Sequence, residues 1–187
     1  EAVSSQAELL AMISNDASIH LVSGFSMLVG PTAQSYATGI AISGITGLSI
    51  NGHGNALSGA GQRRVMYVGA LSEVVLEDLS IVGGYVSVQN GAGIYVSNSL
   101  VTLISVTISG GVCSNCNGGA IYVASSGHVV ARSSIISNNA ATGTSTYGFA
   151  GGVYLLAGTS LNVTSTVFDS NTASNYGGAV YGSGAVT

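Results

Sequence analysis

Charged side chains are almost missing from this chain. Its 187 residues include three arginines, no lysine and seven acidic residues, which gives a net charge of −4. A chain with so few cations cannot neutralise a run of phosphates, so the composition argues against nucleic acid as a partner. It also offers no basic segment that could hold the chain on an anionic membrane surface.

Long uninterrupted apolar runs are missing as well, although apolar residues make up 47% of the chain and its mean hydropathy is +0.54. Serine, glycine, asparagine or threonine interrupts every window of about 18 residues, the length that a membrane-spanning helix needs. We therefore predict no transmembrane segment, and the apolar residues are available for a core. The length suits one domain or a piece of a larger repeat structure.

A repeated phrase dominates what the chain does contain. The copies are GGAIYV (118–123), GAGIYV (91–96), GGVYLL (151–156) and GGAVYG (177–182), with a fainter RVMYVG (64–69). The aligned tyrosines, at steps of 28, 27, 32 and 27 residues, are Tyr67, Tyr95, Tyr122, Tyr154 and Tyr181. Self-similarity at such a period is typical of a solenoid, a propeller or an array.

Apolar residues within each repeat recur at a spacing of two, which is the period of a β-strand. Examples are the pairs Ile94 and Val96, Val101 and Leu103, and Val106 and Ile108. With no helical period between the strands, the pattern predicts an all-β fold. We predict a right-handed parallel β-helix with rungs of about 27 residues and about three strands per turn. Equivalent residues stack directly in such a coil, so a scarcity of charge avoids repulsion between rungs.

The two ends of the chain differ from its middle. Residues 4–15 (SSQAELLAMISN) carry Ser5 and Glu8 at capping-box spacing and an apolar stripe, which predicts a helix. We assign residues 1–17 to an N-terminal capping helix and residues 18–187 to the β-helix. Because a new repeat starts at 177–182 without a cap after it, we expect the coil to continue beyond residue 187.

Two of the repeated phrases resemble those of a known family. GGAI at 118–121 and FDSN at 168–171 resemble the paired GGA(I/L/V) and FxxN repeats of polymorphic outer-membrane proteins, and the resemblance spans about residues 60–187. The opening, with IHLVSG and LSINGHG, is similar to the N-terminal cap and first rungs of the wider pectin-lyase-like group. The resemblance implies a surface-exposed or extracellular β-helix.

Many pectin-lyase-like proteins are enzymes, and such sites need clustered carboxylates, often with Ca²⁺. Alignment of the repeats separates the candidate acids into three columns. These are Glu77 with Ile104, Arg132 and Thr164; Asp78 with Ser105, Ser133 and Ser165; and Asp169 with Ser109 and Ser137. We therefore predict no catalytic residues, no metal site and no cofactor, and read Asp78 as a solvated turn acid in preference to a Ca²⁺ ligand. The alternative is a carbohydrate-active enzyme, a polysaccharide lyase or a glycoside hydrolase.

The histidines are also dispersed. His20, His53 and His128 fall in different rungs, with no cysteine or acid at ligand spacing. We predict that they are structural or solvated.

Cys113 and Cys116 are the two cysteines, and a C-x-x-C pair can be redox-active, metal-binding or a local disulfide. A zinc site needs a second pair of ligands, which the sequence does not offer, and thioredoxin-like chemistry needs a helix N-terminus at the cysteines. We therefore favour a disulfide over two reduced thiols. Asn162 opens a glycosylation sequon and should face outward, because Leu161 and Val163 should face inward. Both features are compatible with an extracellular or cell-surface location.

The residues on either side of each repeated tyrosine are aliphatic in nearly every repeat, so we predict that they form the core. The tyrosines between them should then face outward in a stacked ladder. Such a ladder either stabilises the coil or forms a contact surface. We favour a non-catalytic scaffold or adhesin, a structural subunit of a larger surface or filament assembly. Its partners would be other protein subunits or cell-surface glycans.

Overall fold

The computed structural model describes residues 1–26 and 38–187, so residues 27–37 of the predicted β-helix lie outside it. One helix and 23 strands occupy the described residues. In chain order they are β1 (Ala2–Ser5), α1 (Gln6–Met12), β2 (Ser18–Ser26), β3 (Thr38–Ser43), β4 (Leu48–Asn51), β5 (Ala56–Ser58), β6 (Arg64–Gly69), β7 (Glu73–Glu77), β8 (Ser80–Val82), β9 (Tyr85–Ser87), β10 (Ile94–Ser97), β11 (Leu100–Ile104), β12 (Thr107–Ser109), β13 (Val112–Ser114), β14 (Ile121–Ala124), β15 (His128–Arg132), β16 (Ile135–Ser137), β17 (Ala140–Thr142), β18 (Val153–Leu155), β19 (Ser160–Thr164), β20 (Val167–Asp169), β21 (Thr172–Ala173), β22 (Val180–Gly182) and β23 (Ala185–Val186).

These strands form four sheets that run along the axis of one coil, and every strand pair in the described part of the chain is parallel. The sheets have eight strands (β1-β2-β4-β7-β11-β15-β19-β23), six (β22-β18-β14-β10-β6-β3), five (β20-β16-β12-β8-β5) and four (β21-β17-β13-β9). The predicted parallel β-helix is confirmed, with about six turns and rungs about 27 residues apart.

The number of strands per turn differs from the prediction. A complete turn contains four strands, as in β6 to β9, where the sequence indicated three. The additional strand belongs to the four-stranded sheet and is only two or three residues long. A strand this short places one side chain inward, so it shows no alternation that could be recognised in the sequence.

Alternation places the core inside the coil. In β10 the side chains of Ile94 and Val96 are buried, and the same two columns hold Met66 and Val68 one rung earlier. The eight-stranded and five-stranded sheets contribute Leu, Ile and Val from their own inward positions to the same hydrophobic cluster. The inward side chains of successive rungs stack on one another, because strands in register lie about 4.8 Å apart.

The corners of the coil explain the FxxN phrase. FDSN (168–171) is in register with IVGG (81–84), ISGG (108–111) and ISNN (136–139). The third residue of each copy adopts a positive φ, at Gly83, Gly110, Asn138 and Ser170. The next residue is Asn139 in one rung, and its buried side chain accepts a hydrogen bond from the Gly111 N–H at 2.9 Å and donates to the Ile108 carbonyl at 3.0 Å. Asn171 repeats this arrangement one rung later. In these two rungs the last residue of the phrase is therefore an asparagine whose side chain hydrogen-bonds to the preceding rung.

The N-terminal segment contains more than the predicted helix. Helix α1 is shorter than residues 4–15, and β1 precedes it and pairs in parallel with β2. The Ser5 hydroxyl accepts a hydrogen bond from the Glu8 N–H at 3.3 Å, as its capping-box position predicts. The Glu8 carboxylate accepts from the Ser4 N–H at 2.6 Å, one residue before the capping Ser5. Leu9 is buried and attaches α1 to the core.

Candidate functional site

The repeated tyrosines lie in strict register on the six-stranded sheet. The paired positions along the sheet are Ala41, Tyr67, Tyr95, Tyr122, Tyr154 and Tyr181. Successive ring centroids are 5.6, 5.3, 5.2 and 6.0 Å apart from Tyr67 to Tyr181, and the first three ring pairs are stacked. We call these five side chains the tyrosine ladder. Each neighbouring pair contributes about 0.5 to 1.5 kcal/mol beyond its buried area.

The ladder faces away from the main core but is not fully exposed. Tyr181 is 38% exposed, whereas Tyr122 is only 7% exposed because a ring stacks on each of its faces. The turn glycines Gly91 and Gly118 pack against the Tyr122 side chain. A Cβ added at Gly91 would lie 3.0 Å from the Tyr122 Cβ, and one added at Gly118 would lie 3.2 Å from it. The ring faces are occupied by neighbours, so a partner would meet ring edges and hydroxyl groups.

Burial changes the acidity of the ladder. Desolvation, with smaller contributions from Tyr95 and Tyr154, raises the pKa of Tyr122 to about 12. Burial also raises the pKa of Tyr95 and of Tyr154. These phenols therefore remain protonated at neutral pH and can donate hydrogen bonds.

The hydroxyl groups of the ladder have no protein partner among residues 1–26 and 38–187. No buried side-chain nitrogen or oxygen in that part of the chain lacks a hydrogen bond, so these hydroxyls reach the surface. The ladder thus presents a row of donors and acceptors, spaced by the rungs, along one side of the coil.

A groove of about 350 Å³ opens beside the first two rings of the ladder, lined by Arg64, Tyr67, Gln89, Asn90, Tyr95 and Ser97. Arg64 is only 7% exposed, and its guanidinium carbon lies 5.2 Å from the centroid of the Tyr95 ring. The guanidinium donates to the carbonyls of Gly91 and Asn90 at 2.9 and 2.8 Å. The arginine therefore attaches the turn before β10 to the edge of the ladder.

The hydrogen-bond acceptors of Arg64 are all neutral in the described residues. Besides the two carbonyls, they are the Thr38 hydroxyl at 3.2 Å and the Gln89 side-chain oxygen at 3.3 Å. Burial lowers the pKa of Arg64, and the Tyr95 and Tyr67 phenols oppose that shift. The groove consequently combines aromatic edges, an amide and a cation, groups that are enriched where proteins bind partners.

Two aromatic residues that the repeat did not single out extend the ladder at its far end. The ring of Phe149 lies 5.0 Å from Tyr181 and 5.9 Å from Tyr176, centroid to centroid. Phe149 ends the longer loop between β17 and β18, which accounts for the 32-residue step between tyrosines. Phe149 and Tyr176 each lie five residues before a ladder tyrosine, so the repeat aligns them with one another, but it does not show that their rings pack against the ladder.

A disulfide joins Cys113 and Cys116, as predicted. Both cysteines are buried in a small cluster with Val86, Ala92 and Ala141, separate from the main core. Cys113 lies on β13, in the four-stranded sheet. The bond closes the turn that leads from this sheet towards the ladder.

The acidic residues lie in the columns that the repeats predicted. Glu77 pairs with Ile104, and Asp169 pairs with Ser137. Among the described residues, no group of three or more histidine, cysteine or acidic side chains could hold a metal ion. Asn162 is exposed on β19 between Leu161 and Val163, which both pack against the core.

Two of the three histidines come into contact. His20 and His53 come from different rungs, but their ring nitrogens are 2.9 Å apart. His128 lies elsewhere on the eight-stranded sheet, with its Nδ1 2.8 Å from the Ser160 hydroxyl. The three histidines do lie in different rungs, as predicted, but nothing in the sequence indicated that two of the rings meet. His20 is in register with Asn51, and the turn after β4 places the ring of His53 beside it.

The fold defines this chain as a parallel β-solenoid. Comparisons with known proteins found no matching family model, no matching curated protein and no matching solved structure. Among the described residues, the single helix is seven residues long, and none is long and apolar enough to cross a membrane.

Proposed function

We propose that this chain is a non-catalytic, extracellular or cell-surface β-helical scaffold or adhesin, and that the tyrosine ladder is its contact surface. The observation that carries the proposal is the unbroken row of five tyrosines whose hydroxyl groups have no protein partner among the described residues. A rigid row of aromatic edges and hydroxyls costs little entropy to engage, because the rings are already ordered by stacking.

The partners we propose are other protein subunits or cell-surface glycans. The groove at Arg64 favours a partner that carries hydrogen-bonding groups, since Gln89, Asn90 and Ser97 line it together with two tyrosines. Membership of the pectin-lyase-like group, with repeats of the polymorphic outer-membrane type, is part of the same proposal and rests on the GGAI and FDSN phrases.

The test replaces Tyr95 and Tyr154 with serine and leaves the enclosed Tyr122 in place. Self-association is measured by sedimentation, and binding is measured on a panel of immobilised neutral and acidic polysaccharides. We expect association or binding to weaken at least about tenfold, because buried tyrosines at an interface commonly contribute 2 kcal/mol or more. Tyr85→Ser is the matched control, because Tyr85 is a half-buried tyrosine outside the ladder.

A second variant separates contact from stability. Tyr95→Phe with Tyr154→Phe keeps the stacked rings and removes only the hydroxyl groups. We expect a folded protein with intermediate loss of binding. A wild-type chain that stays monomeric and binds nothing on the panel contradicts the proposal, as does a folded serine variant that binds normally.

A further inference from the structure

A histidine pair lies on the eight-stranded sheet, away from the ladder. His20 Nδ1 and His53 Nε2 are 2.9 Å apart, and the two rings stack with centroids 5.2 Å apart and planes at 23°. Both side chains are exposed. Two imidazoles in this contact share one hydrogen, so one of the facing nitrogens donates and the other offers a lone pair.

The backbone holds both histidines in place. His20 lies in β2, where it pairs with Asn51 of β4, and its N–H donates to the Glu1 carbonyl at 2.7 Å. His53 adopts a φ of +48° in the turn after β4, and its N–H donates to the Asn51 side-chain oxygen at 2.9 Å. Asn51 in turn donates to the Glu77 carboxylate at 3.3 Å. The two rings therefore project from fixed points of adjacent rungs.

The spacing of the two nitrogens suits a shared metal ion. Two metal–nitrogen bonds of about 2.05 Å at a right angle separate the nitrogens by about 2.9 Å, whereas a tetrahedral angle separates them by about 3.3 Å. The observed 2.9 Å is the length of the hydrogen bond between the two rings, and the same separation would serve adjacent positions of the tetragonal geometry that Cu²⁺ and Ni²⁺ prefer. A bound ion would take the place of the shared hydrogen, and each exposed ring would turn so that its lone pair points at the ion.

We propose that His20 and His53 form a two-imidazole binding site for a divalent transition-metal ion, and that Cu²⁺ binds most tightly. Imidazole is a preferred ligand of these metals, and affinity along the series rises to Cu²⁺. The protein supplies two ligands, so the remaining positions of the ion stay open to water or to a ligand from outside. This site lies on another sheet than the ladder and does not depend on the proposed function.

The test titrates the untagged full chain with Cu²⁺ at neutral pH by isothermal calorimetry, with electron paramagnetic resonance of the bound ion. We expect one Cu²⁺ per chain with a signal from two nitrogen ligands. His20→Asn and His53→Asn should each weaken binding at least about tenfold, because either change removes the second, preorganised ligand. Ni²⁺ and Zn²⁺ should bind more weakly than Cu²⁺.

His128→Asn is the matched control, because it removes an exposed histidine from the same sheet and should leave the affinity within about twofold. Circular dichroism of the metal-free variants establishes that each is folded. Absence of wild-type binding overturns the proposal. So does binding that survives His53→Asn unchanged, or binding that His128→Asn weakens as strongly as the other two changes.

Discussion

Tyr122 shows how one residue can be part of an outward-facing row and still be enclosed. Its ring stacks between Tyr95 and Tyr154, and the glycine turns leave it 7% exposed. Tyr181, by contrast, is tilted against Tyr154 and stacks with Phe149 and Tyr176, yet it remains 38% exposed. Replacing Tyr122 therefore tests stability, whereas replacing Tyr95 and Tyr154 tests contact.

The raised pKa of Tyr122 predicts a loss of stability at high pH. An unfolded tyrosine ionises near pH 10, and the folded one near pH 12. Below about pH 10, Tyr122 is protonated in both states, and its contribution to the free energy of unfolding is fully present. Between about pH 10 and 12 the unfolded state loses its proton first, so the free energy of unfolding falls as pH rises.

Urea unfolding at several pH values between 9 and 12 measures this dependence. Tyr122→Phe should flatten the fall by at most about 2 to 3 kcal/mol. An identical slope in wild type and Tyr122→Phe contradicts the prediction.

The four-stranded sheet and its corner are the elements that the repeats revealed least. Strands β9, β13, β17 and β21 are short, yet they complete each turn and bury a second small cluster that includes the disulfide. The corner before this sheet is held by Asn139 and Asn171, which hydrogen-bond to adjacent rungs. Polar bonding thus replaces apolar packing at this corner.

Asn139→Ala should destabilise the coil by about 1 to 3 kcal/mol, because it leaves the buried Gly111 N–H and the Ile108 carbonyl without their side-chain partner. Denaturant unfolding measures the change. Asn162→Ala, at an exposed asparagine, should stay within about 0.5 kcal/mol of wild type. Equal losses in the free energy of unfolding for the two variants would contradict the prediction.

The Cys113–Cys116 bond can be tested by mass. Alkylation without reductant, in denaturant because both sulfurs are buried, should leave the native mass unchanged. Prior reduction should then add two alkyl groups. Two alkylated thiols without reductant would count against the proposed extracellular location, since reducing compartments keep thiols free.

The whole molecule is a stack of nearly neutral rungs. Equivalent side chains on neighbouring rungs form columns, with about 4.8 Å between successive rungs. Like charges at that distance would repel. The register partners of Glu77, Arg132 and Asp169 on the neighbouring rungs are all neutral side chains. The same dispersal leaves few groups for acid–base catalysis, which is the basis for proposing a non-catalytic role.

A triple substitution tests that role for the molecule as a whole. Glu77→Gln, Asp78→Asn and Asp169→Asn together should leave fold, association and polysaccharide binding unchanged, because these acids lie in different columns. Binding and product release from the polysaccharide panel are measured for both proteins. Cleavage of a polysaccharide by wild type that the triple variant loses would support the alternative of a carbohydrate-active enzyme.

Much of the coil was determined by local pattern. The spacing of two between apolar residues and the period of about 27 residues predicted parallel strands, the inward columns and the register of the tyrosines. These features repeat, and each repeat supports the interpretation of the next. The cysteine pair was equally predictable, because two cysteines three residues apart can meet across a single turn.

Tertiary structure alone decided the features that break or escape the period. The fourth strand of each turn is too short to alternate, and nothing in the sequence indicates that the Phe149 ring packs against Tyr181. His20 and His53 are 33 residues apart, and only the turn insertion after β4 returns the second ring to the first. Strand period is a local property of the chain, whereas these contacts depend on how each corner closes against the rung beside it.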